Sequence, residues 1–330
     1  MRRERGWPAV FILAGLLSAC HPDRLTSVPH NQAPSQSIVS GEQAGVLVTM
    51  TRVSTGGTLW GIAIRSDGVG LATDLGNHLV VFDTRTQTVT GSIAVGSCPT
   101  AVTFSADGAK ALVASQCSNV LDIVDMTTRT LIGSVPVQGS PITVVAAPDN
   151  IHAYVGTGSS TLVTVNVVTQ AVESTIAIAG ALNGLALNAA GTILYISNTG
   201  TVVYEFDPIR VAFRRTFTLP NVTQGLTLSA SKTHLIVASE SGFLSDINLT
   251  TGGRLTLPLA GGPFGVAEIP PLARTAIMQP GTGDVTVYDE KTFAFRQTLH
   301  VGGFPRRGAF DAGSRTLVVT DVGGDLIFIK

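Results

Sequence analysis

The chain has 330 residues, of which 13% are charged, and a formal net charge of −1. This balance argues against the basic surface of a nucleic-acid-binding protein and against an acidic interaction tail. Hydrophobic residues make up 44% of the chain, which also holds 36 glycines, and such a composition is typical of short strands joined by tight turns. Beyond residue 20, no apolar run reaches the ~18 residues that a membrane-spanning helix needs.

The first twenty residues predict a secretory signal. Three arginines among the first five residues precede a short apolar stretch, Pro8–Leu17, and small residues then lead to Cys20. This order is that of a signal peptide and not of a spanning helix. The ending "LSAC" (17–20) resembles the lipobox of bacterial lipoproteins, which is cleaved before an acylated cysteine. The resemblance implies a signal peptide over residues 1–19 and a lipid on Cys20, and the alternative is an ordinary secreted protein with a chance cysteine.

Residues 20–43 predict a flexible tether that follows the lipidated cysteine. The segment is rich in Pro, Ser and other polar residues and has few large apolar side chains, so it cannot bury enough surface to fold. We therefore expect a protein of the cell envelope, held on a membrane surface outside the cytoplasm. By analogy with Gram-negative sorting rules, His21 rather than Asp after the cysteine favours the outer membrane.

From about residue 56 the chain repeats itself. Segments similar to "PTAVTFSADG" (99–108) recur in steps of 40 to 42 residues, a period typical of propeller blades or helical arrays. Apolar residues alternate within each unit and a turn follows about every 8–12 residues, which favours strands over helices. The seven copies begin at Leu59, Pro99, Pro141, Leu182, Thr223, Pro263 and Pro305.

Each full unit predicts four strands. A tight hairpin turn favours Asp-Gly, and Asp107-Gly108 joins the first two strands of the second unit. Asp or Asn marks another turn 24–26 residues after six of the starts, with Thr three residues later in five of those six units. We expect these markers to cap the turn into the outermost strand, not to bind metal. The second unit's predicted strands are Thr100–Ser105, Lys110–Ser115, Val120–Val124 and Thr130–Val137, and the markers are Asp83, Asp125, Asn166, Asp207, Asn248 and Asp289.

The units resemble the YVTN-type repeat, which reads roughly G-x-x-P, strand, S-x-D-G, a "YVAN"-like strand and D-x-x-T. The matching stretches are "GSCP…SADGAKALVAS…VDMTT" and "GSPITVVAAPDNIHAYVGT…VNVVT", and the resemblance covers residues 44–330. It implies an all-β fold, a seven-bladed β-propeller of four-stranded antiparallel blades. The seventh unit ends after its third strand, and Ala44–Gly57 alternates like an outermost strand. We therefore expect the N-terminal strand to complete the last blade and to close the ring.

The sequence contains none of the common catalytic motifs. It lacks a G-x-S-x-G elbow, an H-E-x-x-H zinc motif, a P-loop and a C-x-x-C pair, and its six histidines are scattered over the tether and over different phases of the repeat. We therefore predict no catalytic residue, no metal and no cofactor. Seven-bladed lactonases share the general architecture, so a hydrolase with acids meeting in the channel stays as an alternative.

The propeller resemblance also indicates where a ligand binds. Propellers generally bind on the face formed by the loops that enter the innermost strand and by the loops that join the second and third strands. At the second position of the unit, Trp60, Phe264 and Arg306 depart from the small residues typical of that position. Aromatic and arginine side chains are common at binding sites. The candidates are Trp60, Asn183, Gln224, Phe264, Arg306 and Arg307, and the neighbouring loops offer Asp74, His78, Gln116, Asn198, Glu240, Asp284, Asp321 and Asp325.

Two plainer interpretations of these candidates remain open. Trp60 is also suited to packing between adjacent blades. The two arginines are also suited to ion pairs with Asp321, Asp325 or a carboxylate of a neighbouring blade. Which side chains face the channel depends on a one-residue register.

Cys98 and Cys117 flank the first hairpin of the second unit. If Ser105 pairs with Lys110 across the turn, the two cysteines lie directly opposite each other. Opposite Cβ atoms, ~4.5–5.5 Å apart, approach disulfide geometry, and the expected compartment is oxidising. We predict a disulfide, with a reduced pair as the alternative.

Together these features predict a membrane-tethered, non-enzymatic binding or scaffold protein that acts through its channel face. Its partner is an unknown envelope protein or small ligand, the lipid on Cys20 contacts the membrane, and the protein is expected to be a monomer. Single-stranded nucleic-acid binding through Trp60 and the arginines is a further alternative. The near-neutral charge disfavours it.

Overall fold

The computed structural model describes residues 49–330, so the predicted signal peptide, Cys20 and the tether lie outside the described residues. Within 49–330 the strands form seven four-stranded antiparallel sheets. The first strand, β1 (Met50–Ser54), belongs to the last of these sheets. We number the sheets as blades in chain order, from the innermost strand of each to its outermost strand.

The strand bounds follow the predicted repeat. Blades 1 to 3 consist of β2–β5 (Leu59–Ile64, Val69–Asp74, His78–Asp83, Thr88–Ala94), β6–β9 (Pro99–Phe104, Lys110–Ser115, Val120–Asp125, Thr130–Pro136) and β10–β13 (Pro141–Ala146, His152–Thr157, Thr161–Asn166, Ala171–Ala177). Blades 4 and 5 consist of β14–β17 (Leu182–Leu187, Leu194–Asn198, Val202–Asp207, Ala212–Thr218) and β18–β21 (Leu226–Leu228, His234–Ser239, Phe243–Asn248, Arg254–Pro258). Blade 6 consists of β22–β25 (Val266–Ile269, Arg274–Gln279, Asp284–Asp289, Phe295–His300), and blade 7 of β26–β28 (Pro305–Asp311, Thr316–Asp321, Asp325–Ile329) with β1.

The core lies between the blades. The middle strands of each blade are buried on both faces, as in β7, and therefore read as continuous apolar runs, whereas the outermost strand β9 is mostly exposed. Seven clusters of apolar side chains fill the seven interfaces between adjacent blades. Within residues 49–330, no helix is long and apolar enough to span a membrane.

The innermost strands close into a ring. Each of them contacts its counterpart in the next blade, from β2 through β6, β10, β14, β18 and β22 to β26, and β26 contacts β2. Four-stranded sheets arranged in this way around a central axis form a β-propeller. The predicted seven-bladed fold is confirmed.

The N-terminal strand is the outermost strand of blade 7. β1 pairs antiparallel with β28 from Met50 opposite Ile329 to Ser54 opposite Asp325. The guanidinium of Arg52 forms an ion pair with the Asp325 carboxylate at 2.8 Å. The first and last strands of the described chain therefore share one sheet.

The six turn markers cap the turn into the outermost strand. The Asp125 carboxylate accepts hydrogen bonds from the backbone N–H groups of Thr127 and Thr128, at 2.8 and 2.9 Å. The same pair of bonds recurs at the other five markers. In blade 6 a 3-10 helix, Pro270–Leu272, replaces the Asp-Gly hairpin turn, and Ala273 takes the left-handed conformation there at φ 48°.

Cys98 and Cys117 form a disulfide, with their Cα atoms 5.3 Å apart. The assumed register is wrong at this point, because the β6–β7 ladder shifts by one residue between Pro99 and Ala101. The Cys98 carbonyl consequently accepts its hydrogen bond from the N–H of Gln116, not from that of Cys117. Cys98 adopts the left-handed region at φ 52°. The two sulfur atoms therefore meet diagonally across the end of the hairpin.

Candidate functional site

A recurring bulge positions the candidate residues at one end of the ring. In blades 2, 3, 4 and 7 the ladder of the innermost strand shifts register between the first and the third residue, and in blade 1 between Leu59 and Ile62. In blades 5 and 6 the innermost strand begins later, after Gln224 and Phe264. Such bulges redirect side chains. The bulged second residues are Trp60, Thr100, Ile142, Asn183 and Arg306.

The second residues of units 1, 6 and 7 form one stack. The indole of Trp60 and the ring of Phe264 meet edge to face, with centroids 5.9 Å apart. The Arg306 guanidinium carbon lies 4.3 Å from the Trp60 centroid and 4.5 Å from the Phe264 centroid. Both distances are within the range of cation–π attraction. Blades 7, 1 and 6 therefore contribute one side chain each to a single arginine–aromatic cluster.

Arg307 reaches across the central channel. Its Nη2 donates to the backbone carbonyl of Asn183 at 3.3 Å, which links blade 7 to blade 4 on the far side of the ring. Its guanidinium carbon also lies 4.9 Å from the Phe264 centroid. Blade 5 makes room for it, because a Cβ on Gly225 would lie 3.1 Å from Nη1 of Arg307. Blades 1 to 6 have only Gly, Ala or Thr at this third position of the unit.

The two arginines have little negative charge around them. The Arg306 Nη1 lies 3.8 Å from the Glu240 carboxylate, too far for a hydrogen bond. Burial is the main cause that lowers the pKa of Arg306, which Glu240 partly offsets. Burial first, and the charge of Arg306 second, lower the pKa of Arg307 to about 10. The channel mouth is therefore a positively charged site whose charges are poorly solvated.

The structure separates the candidates into two groups. Trp60, Phe264, Arg306 and Arg307 come together in the cluster. Asn183 lies beside the cluster, and its side-chain amide donates to the Thr223 carbonyl at 3.2 Å, which joins blades 4 and 5. Gln224 is buried, and its backbone N–H donates to Ala238. The Asn183 side-chain amide therefore joins two blades beside the cluster, whereas the Gln224 backbone bond lies within blade 5.

The carboxylates expected at this face mostly hold loops. Asp74 accepts hydrogen bonds from the N–H groups of Thr58 and Gly76, at 3.1 and 3.0 Å. Asp321 accepts one from Phe304, and Asp325 is paired with Arg52. Ion pairing of the arginines with Asp321 or Asp325 is therefore wrong, since only Glu240 of the neighbouring loops approaches Arg306. Within residues 49–330, no cluster of three or more His, Cys, Asp or Glu residues is arranged to hold a metal ion.

Phe304 is a residue of this face that sequence reasoning missed. It lies in the loop that enters β26, two residues before Arg306, and its side chain is 59% exposed. The available signal was a large apolar residue directly before the Pro305 start, where most other copies have a small one. An exposed aromatic ring in the loop before the Arg306 strand adds apolar surface at this end of the ring.

Comparisons with known proteins show the fold and no family. No protein-family model matches the chain, and no curated protein matches its sequence. The structure is similar to one titled Kuenenia stuttgartiensis hydrazine synthase, with a TM-score of 0.75 and 16% sequence identity, over 87% of this chain and 98% of that chain. A total of 1882 solved chains match. So widely shared a fold does not indicate a function, which has to be argued from the site.

Proposed function

We propose that the chain is a lipid-anchored, extracytoplasmic propeller of the YVTN repeat type that binds a ligand at its channel mouth and performs no catalysis. The observation that carries the proposal is the position of Arg306 against the rings of both Trp60 and Phe264. Closing the ring does not require such side chains, because blades 2 and 3 close with Thr100 and Ile142 at the same position. Aromatic and arginine side chains that converge from several elements are typical of binding sites.

The carboxylates at this end favour binding over catalysis. A general acid or base has to exchange a proton with a substrate that it contacts. Asp74 and Asp321 instead bond the backbone of the loops that enter the innermost strands. Burial raises the pKa of Asp321, while its bond from Phe304 acts in the opposite direction. The hydrogen bonds of the Asp74 and Asp321 carboxylates support a structural role for both residues.

A small-molecule library screened by thermal shift tests the binding proposal. Ligands present at 100 times their Kd stabilise the folded chain by about 2.7 kcal/mol. We expect compounds that raise the Tm of the wild-type chain and lose the effect in Arg306→Gln. Arg296→Gln is the matched control, because Arg296 lies on the outermost strand of blade 6, paired with Asp289 at 2.7 Å. Compounds that act equally on Arg306→Gln, or a screen without any active compound, would contradict the proposal.

The non-enzymatic part has its own test. The wild-type chain is incubated with a panel of lactones and esters, with and without divalent metal ions. We expect no turnover above the buffer rate. Turnover that Glu240→Gln abolishes would instead establish a hydrolase at the channel mouth.

The proposed location rests on the N-terminal sequence. Cys20 follows a charged and apolar leader and precedes a polar segment, as a lipidated cysteine does. Cells that express the chain are labelled with a palmitate analogue and then fractionated. We expect label and membrane association in the wild type and neither in Cys20→Ala. Membrane association that Cys20→Ala retains would contradict the lipid anchor.

A further inference from the structure

The arginines of the channel differ from the other paired arginines of the propeller. Arg214, Arg215 and Arg296 each bond a carboxylate at 2.6 to 2.7 Å. Within residues 49–330, the guanidinium of Arg306 makes no hydrogen bond, and its buried Nε has no partner. That of Arg307 makes a single long one, to the Asn183 carbonyl at 3.3 Å. Since a guanidinium carries five N–H donors, the pair has a large unused capacity to donate hydrogen bonds.

The same two groups have little counter-charge around them. They are adjacent in sequence and both contact the Phe264 ring, so their positive charges lie close together. Among residues 49–330, the carboxylate that approaches them is that of Glu240, which is 49% exposed and lies 3.8 Å from Arg306. Two guanidinium groups held together in a partly buried site favour an oxyanion, which accepts several charge-assisted hydrogen bonds at once.

Part of the cluster is exposed to solvent. The Arg306 side chain keeps 23% of its surface exposed, although both aromatic rings contact its guanidinium. Phe304, in the loop two residues earlier, is 59% exposed. An anion with an apolar body therefore finds hydrogen-bond donors and aromatic surface at the same end of the ring.

We infer that the channel mouth is an oxyanion site, in which Arg306 and Arg307 bind the carboxylate or phosphate group of a small ligand. The Glu240 carboxylate occupies the edge of this site and competes with the ligand for Arg306. The inference rests on the proposed binding function and names the ligand class of the same site. It requires no rearrangement of the ring, because the cluster is already assembled.

The test titrates the full-length chain, purified in detergent, at low ionic strength, where surface charges are least screened. The probes are benzoate, phenyl phosphate and neutral benzamide, followed by calorimetry and by the fluorescence of Trp60, with Trp60→Phe as the optical control. We expect saturable binding of at least one anion and none of benzamide. The two anions separate a carboxylate site from a phosphate site.

Three variants give opposite expectations. Arg306→Gln is expected to weaken anion binding at least tenfold, because charged hydrogen bonds of ~1.5–3 kcal/mol are lost. Glu240→Gln is expected to tighten it, because a competing negative charge is removed. Arg296→Gln is expected to leave the Kd unchanged. Benzamide binding as tight as benzoate, or an anion Kd that neither Arg306→Gln nor Glu240→Gln changes, would overturn the inference. A library compound that is neutral and needs Arg306 would leave the binding function standing while the oxyanion inference fails.

Discussion

Replacing Arg307 with methionine, of similar length but uncharged, should stabilise the propeller. The pKa of this guanidinium falls from 12.5 to about 10 on folding, mainly through burial. At ~1.36 kcal/mol per pKa unit, holding the charge there costs roughly 3 kcal/mol. The cation–π contact with Phe264 returns about 1 kcal/mol, and the bond to the Asn183 carbonyl returns about 1 kcal/mol. A net gain of about 1 kcal/mol is expected for Arg307→Met.

Urea unfolding at neutral pH, followed by circular dichroism, measures this difference. The control is Arg296→Met, which breaks an exposed ion pair and is expected to lower stability by no more than about 1 kcal/mol. A loss of about 2 kcal/mol or more in Arg307→Met would refute the reasoning. It would mean that the contacts of Arg307 between blades 7 and 4 contribute more stability than the burial of its charge costs.

The pH dependence supplies an internal check. Between pH 10 and 12.5, the unfolded chain keeps the proton of Arg307 while the folded chain loses it. Stability rises with pH wherever the unfolded state binds more protons. The stability of the wild type should therefore rise relative to that of Arg307→Met as the pH rises through the folded pKa of about 10. Unfolding midpoints of the two chains at pH 9 and 10.5 give the comparison.

The remaining predictions concern the strands and turns around the site. The bond from the Arg296 side chain, followed by the bond from the Thr292 N–H, lowers the pKa of Asp289 to about 2. The stability that these bonds contribute is present above the unfolded pKa of 3.8 and is lost as the pH falls through about 2. Asp289→Asn should therefore reduce the fall of the urea midpoint between pH 4 and 2. Reducing the disulfide, whose cysteines lie 19 residues apart, should cost about 3 kcal/mol, and a Cys98→Ala/Cys117→Ala chain should not respond to the reductant. Gly225→Ala places a Cβ 2.3 Å from the Phe264 carbonyl and should cost about 1–3 kcal/mol in unfolding experiments, with an altered Trp60 emission; an unchanged midpoint would contradict this close packing.

The repeat pattern predicts the fold well because each blade has to satisfy the same local rules. Alternation, the Asp-Gly turn and the Asp or Asn cap act within a few residues, so they are visible in the sequence. In the second unit, the predicted strand Lys110–Ser115 has the bounds of β7, and the other three strands differ by one residue at one or both ends. Because the strands repeat, the contacts between adjacent blades repeat as well.

The cluster was visible only in part. Trp60, Phe264 and Arg306 were recognisable because they depart from the residue types of the repeat. What the sequence does not reveal is the bulge, which shifts the register of the innermost strands by one residue. The span of Arg307 to blade 4 is likewise invisible, because it joins positions 124 residues apart. Contacts across the channel depend on the closed ring and not on any local pattern.

The pairing of β1 with β28 means that the ring closes late in folding, because it joins two strands that are far apart in sequence. β1, the first strand within residues 49–330, has to wait for β28, since the Arg52–Asp325 pair spans 273 positions. Until β28 is available, β1 has no partner and the interface between blades 7 and 1 stays uncovered, with Leu326 and Phe328 missing from its core. Contacts this far apart in sequence form slowly, and unpaired edges aggregate. Removal of β28 would therefore take side chains from two interblade cores as well as one strand from blade 7.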